Sequence, residues 1–322
     1  MYTVNTFAGL VLALAISALQ EPQAISAAER VMIATPSRGL FEFPVVVAIR
    51  KGYYKDEGLD ADKIQMQPAV AVKALITGDV DYLLAWGSAV RAAVTGVPIK
   101  AVAGMAARPM HVLIARPEIK SANDLKGKTI GVDSVAGTVD YLSRVAVRHF
   151  GFEPDKDVKI IVTGESPLRL AAIRAGSIDA TPIDVAFAVK AEEEGFRRIL
   201  YLGDIIELPL SGITIMDKKL QTQREQVKKV VRATLRGTRF MKQNRAETIQ
   251  MLSDYLRITP SQAAKAYDAS INSFTDDGII SDSGVNLDVQ LTKERLKMTK
   301  EIPLSQLVDW SLIKEIKEEK PR

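Results

Sequence analysis

Chemistry in this sequence is best placed at two small stretches that each join an apolar run to a helical one. They are Trp86-Gly87-Ser88 and Asp133-Ser134-Val135-Ala136-Gly137-Thr138. A glycine-bearing loop in that position leaves backbone N–H groups free at the positive end of a helix, beside hydroxyls, and so can hold an anion by hydrogen bonds. The alternative is a tight strand-to-helix turn with no ligand. Other chemistries are poorly served. There is no cysteine, which excludes disulfides, thiolate metal sites and cysteine nucleophiles. The two histidines, His111 and His149, fall on different elements without metal-ligand spacing. No nucleophile elbow, phosphate-loop motif or dinucleotide fingerprint occurs. Asp276-Asp277 and Glu192-Glu193-Glu194 read as exposed turn and helix charges. Binding is expected, with neither a metal nor a cofactor.

Such loops need strands ending beneath them. Residues 31–34 read as a strand, 35–39 as a loop, and Pro44 opens a helix over 45–50. Residues 36–43 therefore sit at the carboxyl end of a strand, where open α/β sheets bind ligands. Two further segments, 74–81 and 172–179, share one pattern: an apolar helix end, a glycine, a β-branched residue and an aspartate. In each, Gly78 or Gly176 takes the left-handed cap and a strand follows, from Val80 or Ile178. The same supersecondary step built twice predicts two α/β lobes with a cleft between them, a usual seat for a small ligand. Strands are also predicted over 99–103, 111–115, 129–132, 158–162, 198–202 and 213–216, with helices over 89–95, 139–150, 168–175 and 185–194. Crossings between lobes are predicted near 108–111 and 208–213. From residue 221 the chain reads as almost wholly helical, and this last third is expected to pack on the first lobe. The predicted organisation is lobe one from 29–109 and 212–322, and lobe two from 110–211.

A chain of 322 residues that is 47% apolar can bury one large core or two ordinary ones. Its 43 basic and 39 acidic residues are interspersed, and the net charge of +4 favours an anionic ligand weakly and nucleic acid hardly at all. No nucleic-acid partner is expected. Residues 7–19 form an apolar run, followed by Gln20-Glu21-Pro22-Gln23 and the small residues 24–28. That is the order of a secretory signal, with cleavage near Ala27 or Ala28, although no Lys or Arg precedes the run. A buried N-terminal helix is the other reading. On the helix after residue 221, Lys228, Arg232, Arg236 and Arg239 share a face opposite Val227, Val230, Val231, Thr234, Thr238 and Met241. It is either a solvated basic face or a dock for an acidic or membrane-embedded partner.

Taken together, residues 44–59 (PVVVAIRKGYYKDEGL), 74–81 and 124–132 (DLKGKTIGV) resemble the nitrate, sulfonate and taurine branch of ABC-transporter substrate-binding proteins, a family that includes binders of thiamine-pyrimidine precursors. Thr275-Asp276-Asp277-Gly278 and Val308-Asp309-Trp310-Ser311 fit the same pattern. The resemblance covers nearly everything after the signal. It implies an α/β periplasmic-binding fold of the second type, two lobes joined by two hinge strands and closing over one small molecule. Carried over by position, the ligand loops are residues 37–43, 86–88, 134–138 and 181–184, the loops that the strand-end argument also selects. The implied ligand set is Ser37, Arg38, Phe41, Trp86, Gly87, Ser88, Ser134, Ala136, Gly137, Thr138 and Asp184.

Within it, Ser88, Ser134 and Thr138 hold a sulfonate, carboxylate or nitrate with the backbone N–H groups of Gly137 and Thr138. Arg38 is either a countercharge or a surface arginine. Trp86 either lays its ring across the ligand or lies in the core beneath its loop. Asp184 repels an anion, and instead holds a loop, caps the helix at Val185 or takes an amino group. His111, beside a crossing, reads as structural. The resemblance implies an exported, monomeric periplasmic protein that is not an enzyme and delivers a small anionic organic solute to a membrane ABC permease. The alternatives are an enzyme on the same fold, of the pyrimidine-precursor or menaquinone-pathway type, and a sensory binding protein serving a receptor. The pyrimidine-making branch carries a cysteine-rich motif that this sequence lacks.

Overall fold

A computed structural model describes residues 28–36, 38–135 and 137–319; the signal expected over residues 1–28 thus lies, apart from Ala28, outside the described residues. Among the described residues, ten strands form two sheets. The first sheet holds β1 (Glu29–Thr35), β2 (Leu59–Gln65), β3 (Tyr82–Ala85), β4 (Ile99–Ala106) and β10 (Ser211–Met216), in the order β2-β1-β3-β10-β4. The second holds β5 (His111–Ala115), β6 (Thr129–Val132), β7 (Lys159–Val162), β8 (Ala180–Asp184) and β9 (Arg197–Tyr201), in the order β7-β6-β8-β5-β9. In the first sheet β1 runs parallel to β2 and β3, while β10 is antiparallel to both of its neighbours. In the second, β6 runs parallel to β7 and β8, and β5 is antiparallel to both of its neighbours. Each sheet therefore carries one reversed strand in fourth place, supplied by the chain as it crosses over. The crossings are residues 107–110 and 205–210.

The repeated sequence step has one structural role in both sheets. Gly78 and Gly176 adopt φ of 83° and 73°, as the left-handed cap requires. The aspartate that follows clamps the neighbouring strand from two atoms. Asp81 donates its N–H to the Met32 carbonyl at 2.9 Å and accepts the Met32 N–H on Oδ2 at 2.8 Å. Asp179 does the same to Thr129, at 2.8 and 2.9 Å. The strands themselves start two residues later than the β-branched residue predicts, at Tyr82 and Ala180, because Val80 and Ile178 are buried as anchors beneath the turn.

Apolar periodicity places most helices within a residue or two of their observed bounds. One strand, β2 (LDADKIQ), lacks an apolar alternation because it is a sheet edge with partly exposed charged side chains. In the core beside the first sheet, helix Arg224–Gln243 crosses helix Phe43–Arg50 at Gly237. A Cβ there would stand 2.2 Å from the Pro44 carbonyl oxygen, so only glycine allows this approach.

The C-terminal third does not pack on the first sheet alone. Helix Pro260–Ser270 lies against helix Val185–Glu193 of the second sheet, and Ala263, Ala266 and Tyr267 join Val185, Ala188 and Val189 in one core. Three of the four cations on the basic face of the long helix are paired within the chain. Lys228 pairs with Glu319 at 2.7 Å, Arg232 with Glu57 and Glu319 at 2.7 and 2.6 Å, and Arg236 with Asp56 at 2.8 Å. These cations tie the helix to its own chain, against the reading of that face as a dock. No described helix is long and apolar enough to cross a membrane.

Candidate functional site

The carboxyl ends of β1, β3, β6, β7 and β8 open onto one cleft between the sheets. Its centre is a cavity of about 320 Å³, bordered by Phe41, Trp86, Gly87, Ser88, His111, Thr138 and Arg169, with the crossing residues 208–210 at one side. A second cavity of about 410 Å³ shares Phe41, His111, Glu165 and Ser166 with it and extends to Phe187, Leu256 and Ile258. A third, of about 250 Å³, shares Arg91, Thr138, Leu208 and Asp288 and extends to Tyr141 and Arg295. The three are compartments of one groove.

Three helices start at the central cavity: Trp86–Val94, Thr138–His149 and Ser166–Arg174. None has a side-chain cap hydrogen bond at its first turn. The first N–H groups of a helix have no partner within it, so these three starts and their dipole ends give the cavity partial positive charge. Gly137 makes the second start possible, since a Cβ there would meet Ser134 Oγ at 2.4 Å and Asp133 Oδ1 at 2.6 Å.

Arg169 is the formal cation beneath them, only 2% exposed. Its Nε donates to Thr181 Oγ1 at 3.1 Å, Nη1 to the Gly164 carbonyl at 2.6 Å, and Nη2 to Ser166 Oγ at 3.0 Å. No described carboxylate lies within ion-pair distance. Burial lowers its pKa, with Asp133 and Glu165 opposing from further off. Arg91, half-buried, donates to Ser88 Oγ at 2.8 Å; burial and then Arg295 lower its pKa. Asp133, Glu165 and Asp288 border the same cavity, so its lining carries both signs. Burial pushes the Asp288 carboxyl up to about 6, against the pull of Arg91 and the nearby Trp86 indole N–H.

The loop of residues 36–43 is held from below by Glu42. This fully buried carboxylate bonds Thr35 Oγ1, Tyr255 OH and, at 3.0 Å, Lys63 Nζ. Burial raises its pKa, while Tyr255 and Lys63 oppose. Arg38 stacks 4.8 Å above the Tyr255 ring.

Of the residues named from sequence, Arg38, Phe41, Trp86, Gly87, Ser88, Gly137, Thr138 and Asp184 border the groove. Ser37 and Ala136 lie outside the described residues. Ser134 borders none of the three cavities, and its hydroxyl lies close against Gly137. Trp86 is a core residue, fully buried and stacked on Trp310 with centroids 6.4 Å apart and planes at 17°. Asp184 caps its helix, accepting from the Ala186 N–H at 2.9 Å, and burial pushes its carboxyl up to about 6. Thr181, in the fourth predicted loop, is a buried strand residue that donates to the Gly131 carbonyl at 2.9 Å.

His111 departs from its structural reading. It borders two compartments, its buried Nδ1 has no partner, and burial together with Arg169 pushes its pKa down to about 4. Sequence reasoning did not single out Arg169 or Asp288, and named His111 only as structural. A signal existed for Arg169, which sits four residues before Ile173 on the buried face of its helix, where an apolar residue is the ordinary choice.

The family model described as NMT1/THI5 like matches residues 42–248, more than half of the chain. The chain belongs to the NMT1/THI5-like family. Among curated proteins, the riboflavin-binding protein RibY of Chloroflexus aurantiacus is 28% identical to this NMT1/THI5-like chain over 212 residues, which are 60% of the chain and 57% of RibY. The chain thus spans under two thirds of that relative's length. Solved structures share the fold. The aliphatic sulphonate-binding protein SsuA of Escherichia coli superposes with a TM-score of 0.71 at 16% identity, over 86% of this chain and 91% of SsuA. The nitrate-binding protein NrtA of Synechocystis PCC 6803 gives 0.65 at 13% identity, over 89% of this chain and 88% of NrtA. This NMT1/THI5-like chain has the α/β fold of periplasmic binding proteins.

Proposed function

We propose that this NMT1/THI5-like chain is an exported solute-binding protein of an ABC importer, which captures a small organic solute with an acidic group between two lobes and presents it to a membrane permease. The lobes are residues 29–109 with 212–322, and residues 110–211; closure takes place about the crossings at 107–110 and 205–210. The observation that carries the reading is the convergence of three uncapped helix starts on a cavity that also holds a buried arginine without a carboxylate partner. Such a site compensates an oxyanion by hydrogen bonds and one cation, with little reorganisation on binding. In this reading the N–H groups at Gly87–Ser88 and Gly137–Thr138, with the Ser88 and Thr138 hydroxyls, meet the acid group above Arg169, and Arg38 and Phe41 border the adjoining compartment. The fold shared with sulphonate and nitrate binders, and the likeness to a riboflavin binder, support a binding role over catalysis. The protein acts as a periplasmic monomer.

The test is incubation of the purified protein with a small-molecule extract of cells, followed by native mass spectrometry. A single compound bearing an acidic group, retained one to one and raising the melting temperature, is the expected result. Chemical conversion of that compound overturns the reading in favour of an enzyme, and retention of nothing overturns it outright.

A further inference from the structure

Four buried side-chain polar atoms among the described residues have no hydrogen-bond partner: Trp86 Nε1, His111 Nδ1, Thr163 Oγ1 and Asp288 Oδ2. Three of the four belong to residues that border the central cavity. Buried polar atoms are nearly always paired in a native protein, and each orphan costs about 1–3 kcal/mol. Orphans gathered around one cavity point to a partner that comes from outside the chain.

Asp288 is the telling member. It is carried on helix Asp282–Leu296, which packs on helix Trp86–Val94, so the carboxylate enters the cleft from the side of the first sheet. Arg91 is the cation it feels most, yet the two form no ion pair, and Arg91 Nη2 is bonded to Ser88. The Trp86 indole N–H is near enough to Asp288 to lower its pKa, but the contact falls short of hydrogen-bond geometry, so Nε1, which can only donate, and Asp288 Oδ2 are each left without a full partner. Arg169 borders the same cavity from helix Ser166–Arg174, which packs on the second sheet, and is a cation without a carboxylate. The cleft thus presents an unmatched acceptor from one sheet and an unmatched cation from the other.

We infer that Asp288 is the specificity residue of this cleft, and that the solute is an organic acid that also bears an N–H donor, its acid group facing Arg169 and its N–H bonded to Asp288. The inference rests on the solute-binding reading above and narrows its ligand. A bare oxyanion or a plain alkanesulfonate leaves Asp288 Oδ2 unpaired and adds like-charge repulsion. An amine, amide or imide N–H on the solute satisfies it with a charge-assisted hydrogen bond.

The experiment is calorimetric titration of the protein with two pairs of acids matched except for the donor: taurine against ethanesulfonate, and 4-aminobenzoate against benzoate. The donor-bearing member of at least one pair is expected to bind ten-fold or more tightly than its partner. In Asp288→Asn that ratio falls to near one, while Arg169→Met weakens both members by a common factor. Melting of Asp288→Asn at or above the wild-type temperature certifies its fold. Equal binding within both pairs, or a preference that survives in Asp288→Asn, overturns the inference and leaves the solute-binding reading standing. Failure of all four acids to bind at millimolar concentration overturns the inference too, and retention from extract then judges the broader reading separately.

Discussion

Asp179 grips Thr129 by two hydrogen bonds, one from its backbone N–H and one to its carboxylate, and Asp81 repeats the same grip on Met32 in the other sheet. The relationship predicts that Asp179→Ala costs about 1.5–3 kcal/mol, the range for a bond to a charged acceptor, and that Asp81→Ala costs a similar amount. Urea midpoints of the two variants check this. Values within about 0.5 kcal/mol of wild type would show that water replaces the carboxylate without loss.

Helix contact at Gly237 gives a sharper expectation. Gly237→Ala places a methyl 2.2 Å from the Pro44 carbonyl oxygen, backbone that has no rotamer to yield. The two helices must separate, at a cost of about 1–3 kcal/mol despite the better helix propensity of alanine. A melting temperature equal to wild type would mean that helix Arg224–Gln243 slides freely on its neighbour.

Thr138 separates fold from ligand. Its side chain is exposed at the mouth of the cleft and makes none of the buried contacts that Trp86 does. Thr138→Trp is expected to abolish solute binding while leaving the apo melting temperature nearly unchanged, whereas Trp86→Ala costs about 3–5 kcal/mol of apo stability through the stack on Trp310. A large drop in apo stability for the Thr138 variant assigns that residue to the fold.

Protonation of the cleft works in two directions. The His111 pKa lies near 4 in the fold against an ordinary 6.5, so between those values the unfolded chain takes up a proton that the folded one refuses. Apo stability therefore falls as pH drops from about 6.5 towards 4, by up to about 3 kcal/mol, and His111→Gln removes that loss. Asp184 has the opposite sign. Its folded pKa of about 6 exceeds an ordinary 3.8, so the folded state keeps the proton longer and stability falls as pH rises from about 4 to 6. Asp184→Asn, which still caps its helix, flattens that limb. Urea midpoints between pH 4 and 7.5 read both, and parallel curves for wild type and His111→Gln would place a charged imidazole in the folded protein.

Local grammar carried most of what could be read before the structure. Glycine stops, the proline at a helix start and apolar periodicity gave the strand–loop–helix steps, and with them three of the four predicted loops; the fourth, residues 181–184, is strand β8 itself, shifted because Ile178 anchors the turn before it. Strand β2 escaped because an edge strand has no need of apolar alternation. The Ser134 hydroxyl lies close against Gly137, a contact that no pattern of residue types encodes. Asp288 escaped for a different reason. It reaches the cleft only through the packing of helix Asp282–Leu296 on helix Trp86–Val94, a pairing between distant parts of the chain. In isolation Asp288 is one more charge on a largely polar helix. Arg169 was legible in principle, since an arginine in an apolar register needs a reason.

Strand β10 comes from residues 211–216 yet sits between β3 and β4, and Gly212 lets it press against Trp86. The five strands of the second sheet all precede it in the chain. During synthesis from the N-terminus the second sheet can therefore close while the first still has a gap one strand wide, beside Trp86 and the helix start at the cleft. Any chain cut before residue 211 inherits that gap permanently. The cleft wall beside Trp86 is in this sense completed late, when a short segment from beyond the second sheet returns to fill a place left open since residue 106.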